Sequence, residues 1–227
     1  KSIIGEQTAL VVGVQPVSLG LVSPPGDYGA DIVVGEGQPF GIGPTAGGPI
    51  YGLFACSEAY IRQMPGRIVG LSKDSDGDRA FTLTLSTREQ HIRRHRATSN
   101  ICSNETLIAL MGAMHMALLG PGGLEKLALR NAGACSATKG ALLELDGVEL
   151  VHPNGSHFNE FAIRLPRPAA DLLSFLDDEC DITGGLDLSQ WWPGRENELL
   201  VCATDQIDIE DIEELAEGVQ DWLEGYE

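Results

Sequence analysis

The chain has 227 residues and is strongly acidic, with 33 Asp and Glu residues against 15 Lys and Arg residues and a formal net charge of -18. This charge argues against nucleic acid as a partner, because phosphates would be repelled rather than neutralised. The length predicts one to two domains with a real hydrophobic core, burying on the order of 70–75% of the extended-chain surface.

Many of the carboxylates lie toward the carboxyl end, where ten of the last 23 residues are Asp or Glu and none is Lys or Arg. The ordinary explanation is a solvated helix face. Lysine is scarce, with four residues in the whole chain, and this favours a second hypothesis, a source adapted to high salt. A dense carboxylate surface keeps a protein soluble when salt screens its charges, so both explanations stay open.

The cysteines are odd in number, widely spaced and form no CxxC pair: Cys56, Cys102, Cys135, Cys180 and Cys202. Such spacing supports neither a zinc site nor a disulfide framework. We therefore expect no metal site, and a reduced, cytoplasmic protein. No apolar run in the sequence looks close to the roughly 18 residues that span a bilayer, so no membrane association is expected.

The first part of the chain predicts short strands that alternate with loops and short helices, at residues 9–13, 32–34, 50–54, 68–71 and 80–85. The polar link LSKDSDGD predicts a hairpin between the last two strands. Ser57 favours the start of a short helix that Pro65 stops. Thr87 and Gln90 form a capping-box pattern, which predicts a further helix at TREQHIRRHR.

After Asn104 the pattern becomes helical and then mixed. Five apolar residues at helical spacing are expected to pack in a core: Leu107, Leu110, Met111, Met114 and Leu118. GPGG at 120–123 ends that helix, and another begins near Leu124. Strands at 158–165 and 198–203, with helices at 169–176 and 212–223, complete an α+β region. We expect residues 1–103 to be the end of a large α/β domain and residues 104–227 to be a small α+β domain.

Residues 31–58, DIVVGEGQPFGIGPTAGGPIYGLFACSE, place six glycines between two apolar strands. The glycines deny the loop a regular element and let its backbone pass close to a ligand or to another chain. A long crossover with a structural role alone is the alternative.

Two other patterns carry less weight. A GxGxxG/A pattern begins at Gly41, but Pro44 spoils the tight turn that dinucleotide binding needs. His91 and His95 lie four residues apart and could share a metal, yet the arginines around them favour a solvated or anion-facing helix.

Four ordered blocks resemble the glycine decarboxylase P-proteins of the glycine cleavage system: ADIVVGEGQPFG at 30–41, GGPIYGLFA at 47–55, RQMPGRIVG at 62–70 and TLSTREQHIRRHRATSNICSN at 84–104. Within that family the resemblance is to subunit 1 of the two-chain form, and to its carboxy-terminal half. It implies a fold type I pyridoxal-phosphate-dependent transferase-like fold, with the end of the large α/β domain followed by the small domain.

By this resemblance, subunit 2 carries the lysine that holds pyridoxal phosphate, and Gln38 stands at the corresponding position here. Glutamine has no amine that could form an imine. The resemblance therefore implies no catalytic and no cofactor-binding residue in this chain. Glu36, Gly37, Gln38, Gly47 and Gly48 are the loop residues expected to shape the site.

Four arginines between residues 88 and 96 place positive charge in an otherwise acidic chain, and neutral polar residues follow. By resemblance this block approaches an active site shared by two subunits. Arg96, Thr98, Asn100 and Asn104 are therefore the predicted substrate or partner contacts. Helix capping and interface salt bridges are the alternative role.

The resemblance implies an enzyme subunit that completes the site of subunit 2. There glycine loses carbon dioxide on pyridoxal phosphate, and the aminomethyl group passes to the lipoyl arm of H-protein. A structural partner that only stabilises subunit 2 is one alternative. An independent pyridoxal enzyme is another, and it would form a lysine imine by itself.

Overall fold

The computed structural model describes residue 5 and residues 7–97 and 104–225. The backbone divides into two units, Lys1–Leu124 and Glu125–Glu227. This division lies further along the chain than the domain boundary that we expect after residue 103. That domain boundary remains a prediction. The reason is local: Gly112 and His115 lie against the loop that contains Gly37 and Gly41, so this helical stretch belongs with the first unit.

A three-stranded sheet in the first unit positions the glycine loop, which is the segment of residues 37–51 between the second and third strands. Its strands are β1 (Val11–Val14), β2 (Ile32–Glu36) and β3 (Gly52–Cys56), in the order β1-β2-β3. β1 and β2 are parallel, whereas β3 is antiparallel to β2, with Glu36 opposite Gly52. The three predicted strands are confirmed, with small shifts at their ends. Because β3 reverses the direction of β2, the loop begins and ends at one edge of the sheet.

The predicted hairpin is confirmed as a separate two-stranded ribbon of β4 (Ile68–Lys73) and β5 (Arg79–Thr84). The carboxylate of Asp74 closes its turn by accepting the backbone N–H groups of Asp76 and Asp78, each at 2.9 Å. An aspartate that bonds its own turn is the usual chemistry of such a link.

The prediction of a capping box formed by Thr87 and Gln90 is wrong. α1 (Gln90–Arg93) begins after Glu89 without a side-chain cap, and a 3-10 turn occupies Ser86–Arg88. The cause is Arg88, which is buried and donates hydrogen bonds to the carbonyl oxygens of Met64 and Gly66. These bonds hold Arg88 inward and fix a tight turn where a longer helix was expected.

The predicted break at GPGG is confirmed within α2 (Thr106–Leu143), where Gly120 takes φ 62° and ψ 180°. The core-packing prediction for the preceding segment is wrong, because its apolar side chains are 45% to 87% exposed: Leu107, Leu110, Met111, Met114 and Leu118. Among the described residues, nothing covers this face of α2.

By length and composition alone, α2 is apolar enough to cross a membrane. The expectation that no run approaches this composition is therefore wrong. The break at Gly120 leaves residues 106–119 about 21 Å long, against a bilayer core of about 30 Å. After it, Glu125, Lys126 and Arg130 interrupt the apolar composition. One such helix is weak evidence for a membrane segment.

The second unit contains a four-stranded antiparallel sheet in the order β6-β7-β9-β8. The bounds are β6 (Glu149–Leu150), β7 (Glu160–Arg164), β8 (Leu186–Asp187) and β9 (Glu198–Cys202), with α3 (Ala169–Cys180) and α4 (Ile209–Glu224). The predictions for β7, β9, α3 and α4 are confirmed. β6 and β8 were missed because two residues are too few for an alternating pattern.

The core of the second unit is formed by the sheet, the end of α2, and the apolar faces of α3 and α4. Its fully buried side chains include Leu142, Phe161, Ile163, Leu172, Leu176, Leu199 and Trp222. Asp208 and Asp211 form a reciprocal capping box at the start of α4. The buried side chains of α4 include Ile212, Val219 and Trp222, while most of its carboxylates are exposed.

Candidate functional site

The carboxylate of Glu36 ties together the two ends of the glycine loop. Its Oε1 accepts the backbone N–H of Gln38 at 3.0 Å and that of Tyr51 at 3.2 Å. The backbone N–H of Gly37 also donates to the carbonyl oxygen of Tyr51, at 2.8 Å. The loop therefore leaves and rejoins the sheet at one fixed point at the end of β2.

The Tyr51 ring is packed between this loop and α2, and the side chain is 6% exposed. A Cβ on Gly37 would lie 2.2 Å from Cζ of Tyr51, and one on Gly112 would lie 1.9 Å from its hydroxyl oxygen. Both positions therefore require glycine. Burial raises the pKa of Tyr51 above its ordinary value, and the Glu36 carboxylate makes a smaller contribution in the same direction.

Gln38 lies in the first turn after β2 and is half-buried. Its carbonyl oxygen accepts the N–H of Ile42 at 3.1 Å, which holds the turn. The described lysines lie elsewhere: Lys73 ends β4, and Lys126 and Lys139 are in α2. In the described part of the chain, the turn after β2 therefore presents an amide where an imine would require an amine.

The far part of the loop, which contains Gly47 and Gly48, has unusual backbone geometry. Thr45, Ala46 and Gly47 take φ values of 33°, 55° and 94°. The hydroxyl of Thr45 donates to the carbonyl oxygen of Gly48, closing this turn. Gly47 is exposed and Gly48 is half-buried. These three consecutive residues with positive φ give the turn a specific backbone conformation.

A cleft of about 620 Å³ lies at the end of β2, along β3 and at the first turn of α2. Its lining includes Glu36 and Tyr51 together with Glu105 and Thr106. Glu105 directly follows the predicted contact Asn104, which is exposed. The structure thus brings the two ends of the glycine loop and the residues that directly follow the arginine-containing block to one cleft, although the two are far apart in sequence.

Two of the other predicted contact residues, Thr98 and Asn100, lie outside the described residues. Arg96 is exposed in the 3-10 turn Arg94–Arg96 and does not line the cleft. His91 and His95 are not on one helix as expected, since Arg94 has φ 51° and ends α1 between them. In the described ranges, no three His, Cys, Asp or Glu residues are placed to hold a metal.

Arg88 is a structural residue, unlike its exposed neighbours. Replacing Arg88 with alanine should lower the free energy of unfolding by about 2–3 kcal/mol, because two backbone carbonyls lose a charged donor at a site that is 5% exposed. Arg96→Ala, at an exposed position, should change it by less than about 0.5 kcal/mol. Urea unfolding followed by far-UV circular dichroism compares the two. Equal effects would contradict the structural role of Arg88.

Sequence reasoning missed Tyr51, Glu105, Gly112 and His115 as parts of this region. Gly112 carried a usable signal, because an isolated glycine inside a helical pattern often marks a close approach. Gly41, at φ 80°, is its counterpart in the loop: a Cβ there would lie 2.6 Å from Nδ1 of His115. No local pattern could have paired residues so distant in sequence.

Comparison with known proteins shows the family of this chain. Residues 2–218 match the family model of the glycine cleavage system P-protein. A relative from Rhizorhabdus wittichii, named probable glycine dehydrogenase (decarboxylating) subunit 1, is 50% identical over 221 residues. That alignment covers 95% of this chain and 48% of the relative. The chain thus spans about half the length of the curated relatives that it matches.

Solved structures show the same fold. A glycine decarboxylase (P-protein) of the glycine cleavage system, in inhibitor-bound form, is 40% identical with a TM-score of 0.87, covering 94% of this chain and 48% of that one. A NifS-like protein from Rickettsia africae, 15% identical with a TM-score of 0.60 and covering 94% and 53%, shares the fold alone. The chain belongs to the glycine cleavage system P-protein family and has the fold type I architecture of pyridoxal-phosphate-dependent transferases.

Proposed function

We propose that this chain is part of subunit 1 of glycine dehydrogenase (decarboxylating), and that it completes an active site whose cofactor is held by subunit 2. The names of the curated relatives support subunit 1. The observation that carries the proposal is the turn after β2, where a rigid loop tied to Glu36 presents Gln38.

The residues of this turn do not fit a covalent attachment of pyridoxal phosphate. An imine requires a primary amine, and the amide nitrogen of Gln38 is not nucleophilic. We therefore assign the cofactor to the partner subunit and derive no chemical step from this chain. The cofactor, when bound there, supplies the electron sink for loss of carbon dioxide from glycine.

The part that this chain plays is to shape and close the site. The loop is held rigidly, since Glu36 fixes both of its ends and Tyr51 is packed between Gly37 and Gly112. A preorganised wall positions substrate and partner groups without further ordering. The cleft places polar groups of Glu36, Glu105 and Thr106 beside this wall. Asn104, next to them, is the candidate contact to substrate or to subunit 2.

The acceptor of the aminomethyl group in this proposal is the lipoyl arm of H-protein, which would reach the site that the two subunits form together. We also propose a cytoplasmic location. Cys56, Cys135, Cys180 and Cys202 are free thiols, and this agrees with a reducing compartment.

Reconstitution tests the proposal, using a full-length subunit 1 that carries this sequence, subunit 2 and lipoylated H-protein. Carbon dioxide release from labelled glycine should require both subunits. Asn104→Ala should lower turnover by about 10-fold or more while the Kd for subunit 2 stays the same, because a pocket residue acts on the reaction rather than on assembly.

The matched control is Asn154→Ala, which removes an exposed asparagine from the second unit and should leave both quantities unchanged. A parallel loss of turnover and affinity in Asn104→Ala would instead favour a purely structural partner. Turnover by subunit 2 alone would refute the proposal.

A further inference from the structure

Arg88 joins two chain segments at the open end of the ribbon of β4 and β5. It follows β5, and its guanidinium donates to the carbonyl oxygen of Gly66 at 3.0 Å and to that of Met64. Both carbonyl groups belong to the segment that precedes β4, whose first residue Ile68 pairs with Thr84. The Arg88 side chain is 5% exposed. A buried guanidinium therefore links the start of the ribbon to its end.

The two accepting carbonyl groups flank Pro65, which is part of the candidate site. Pro65 lines the cleft together with Phe54 and Glu105. Proline has no backbone N–H, so Pro65 cannot donate a hydrogen bond that would hold it in place. Its position in the wall of the cleft therefore depends on the residues on either side of it, and Arg88 binds both of those.

Packing alone does not fix this part of the wall. Phe54 and Pro65 also line a second pocket, of about 300 Å³, together with side chains that include Ile32 and Met64. The two residues thus border two separate spaces. Close packing fixes a group where neighbouring atoms surround it, and a group that borders empty space lacks those contacts. Among the described residues, the hydrogen bonds of Arg88 are what hold the Pro65 segment from its carbonyl side.

The chemistry of Arg88 suits this role. Burying a cation costs desolvation free energy, which charge-assisted hydrogen bonds offset only in good geometry. The planar guanidinium holds two acceptors at a fixed separation, whereas its Nε is buried without a hydrogen-bond partner. We propose that Arg88 is a positioning residue of the candidate site, which sets Pro65 in the wall of the cleft. The inference rests on the proposed function.

The first test is Arg88→Lys in full-length subunit 1 carrying this sequence, assembled with subunit 2 and lipoylated H-protein. An ammonium keeps the charge but lacks the planar geometry that reaches both carbonyl groups. Turnover at saturating subunit 2 should fall about 10-fold, because a positioning element is displaced. The Kd for subunit 2 should change by less than about threefold. The matched control is Arg67→Lys, at an exposed position next to Gly66, which should keep turnover within about twofold.

Chemical rescue separates positioning from folding. Arg88→Ala leaves the two carbonyl groups without their donor. Millimolar ethylguanidinium should raise the turnover of this variant about threefold or more, whereas ethylammonium should not, since only the guanidinium can donate to both acceptors. The folded fraction, followed by far-UV circular dichroism, should be the same with and without either cation. A role in stability alone would not produce a rescue that is specific for the guanidinium.

Hydrogen exchange of subunit 1 alone gives a measurement that does not depend on activity. Peptides covering residues 60–68 should exchange faster in Arg88→Lys than in the wild type, while peptides of the second unit exchange at the same rate. Unchanged exchange at 60–68, or wild-type turnover in Arg88→Lys, would overturn the inference. So would equal rescue by the two cations, or a loss of turnover that excess subunit 2 restores. If the wild-type complex releases no carbon dioxide from glycine, the proposed function itself fails.

Discussion

Replacing Gly37 with alanine is expected to lower glycine turnover of the assembled complex about 100-fold. The new Cβ would lie 2.2 Å from Cζ of Tyr51, far inside contact distance. The ring cannot move aside, because it is buried and its hydroxyl already lies against Gly112. The loop must therefore shift, and a displacement of about 1 Å in a positioning element can cost about 100-fold in rate.

The matched control for this prediction is Gly13→Ala in β1, in the same sheet but outside the lining of the cleft. A Cβ at Gly13 would meet no atom within 4 Å. Its turnover should stay within about twofold of the wild type. The measurement is steady-state carbon dioxide release, with complex formation checked by sedimentation. Wild-type turnover in Gly37→Ala would show that the loop does not shape the site.

Replacing Trp222 with alanine is expected to lower the free energy of unfolding of the second unit by about 3–5 kcal/mol. Trp222 is a residue of α4, and its side chain is fully buried in the core of the second unit. The Arg167 guanidinium lies 3.9 Å from the ring centroid of Trp222. The substitution leaves a large cavity and removes the surface on which Arg167 packs. Such a loss is a large fraction of the stability of an ordinary domain.

Trp192→Ala provides the control, because Trp192 is 54% exposed and its removal leaves no cavity. It should change the free energy of unfolding by less than about 0.5 kcal/mol. Urea unfolding followed by far-UV circular dichroism measures both variants. A similar effect from the two tryptophans would mean that the core of the second unit is placed incorrectly.

The helices and strands with a clear hydrophobic period could be predicted from the sequence, and so could the turns and helix breaks between them. β2 follows from its β-branched run, the ribbon from its polar link, and the break in α2 from GPGG. These signals are local, since neighbouring residues alone determine them. The short strands β6 and β8 were missed, because their pairing depends on distant partners rather than on a pattern of their own.

Two predictions drawn from local signals failed. The capping pattern at Thr87 failed because Arg88 turns inward to carbonyl groups of Met64 and Gly66. The apolar face at the start of α2 fits helical spacing, yet helical spacing does not say what covers a face. Its side chains are exposed here, so the prediction of a core was wrong although the helix was right.

Part of the candidate site could also be predicted from the sequence. The absence of lysine from the loop is visible in the sequence, and the turn after β2 does carry Gln38. The anchoring by Glu36 and the packing of Tyr51 between Gly37 and Gly112 were not visible, since they join residues that are far apart along the chain. Glu105 and Thr106, which directly follow the predicted contact Asn104, line the cleft, whereas Arg96 does not. The role of Asn104 itself stays a prediction.

Borohydride reduction of the complex tests most directly whether this chain lacks the cofactor lysine. Subunit 1 alone, mixed with pyridoxal phosphate, should show no stable imine absorbance. After reduction of the assembled complex, peptide mapping should place the pyridoxyl group on a lysine of subunit 2 and leave Lys73, Lys126 and Lys139 unmodified. A stoichiometric pyridoxyl group on a lysine of this chain would contradict the account.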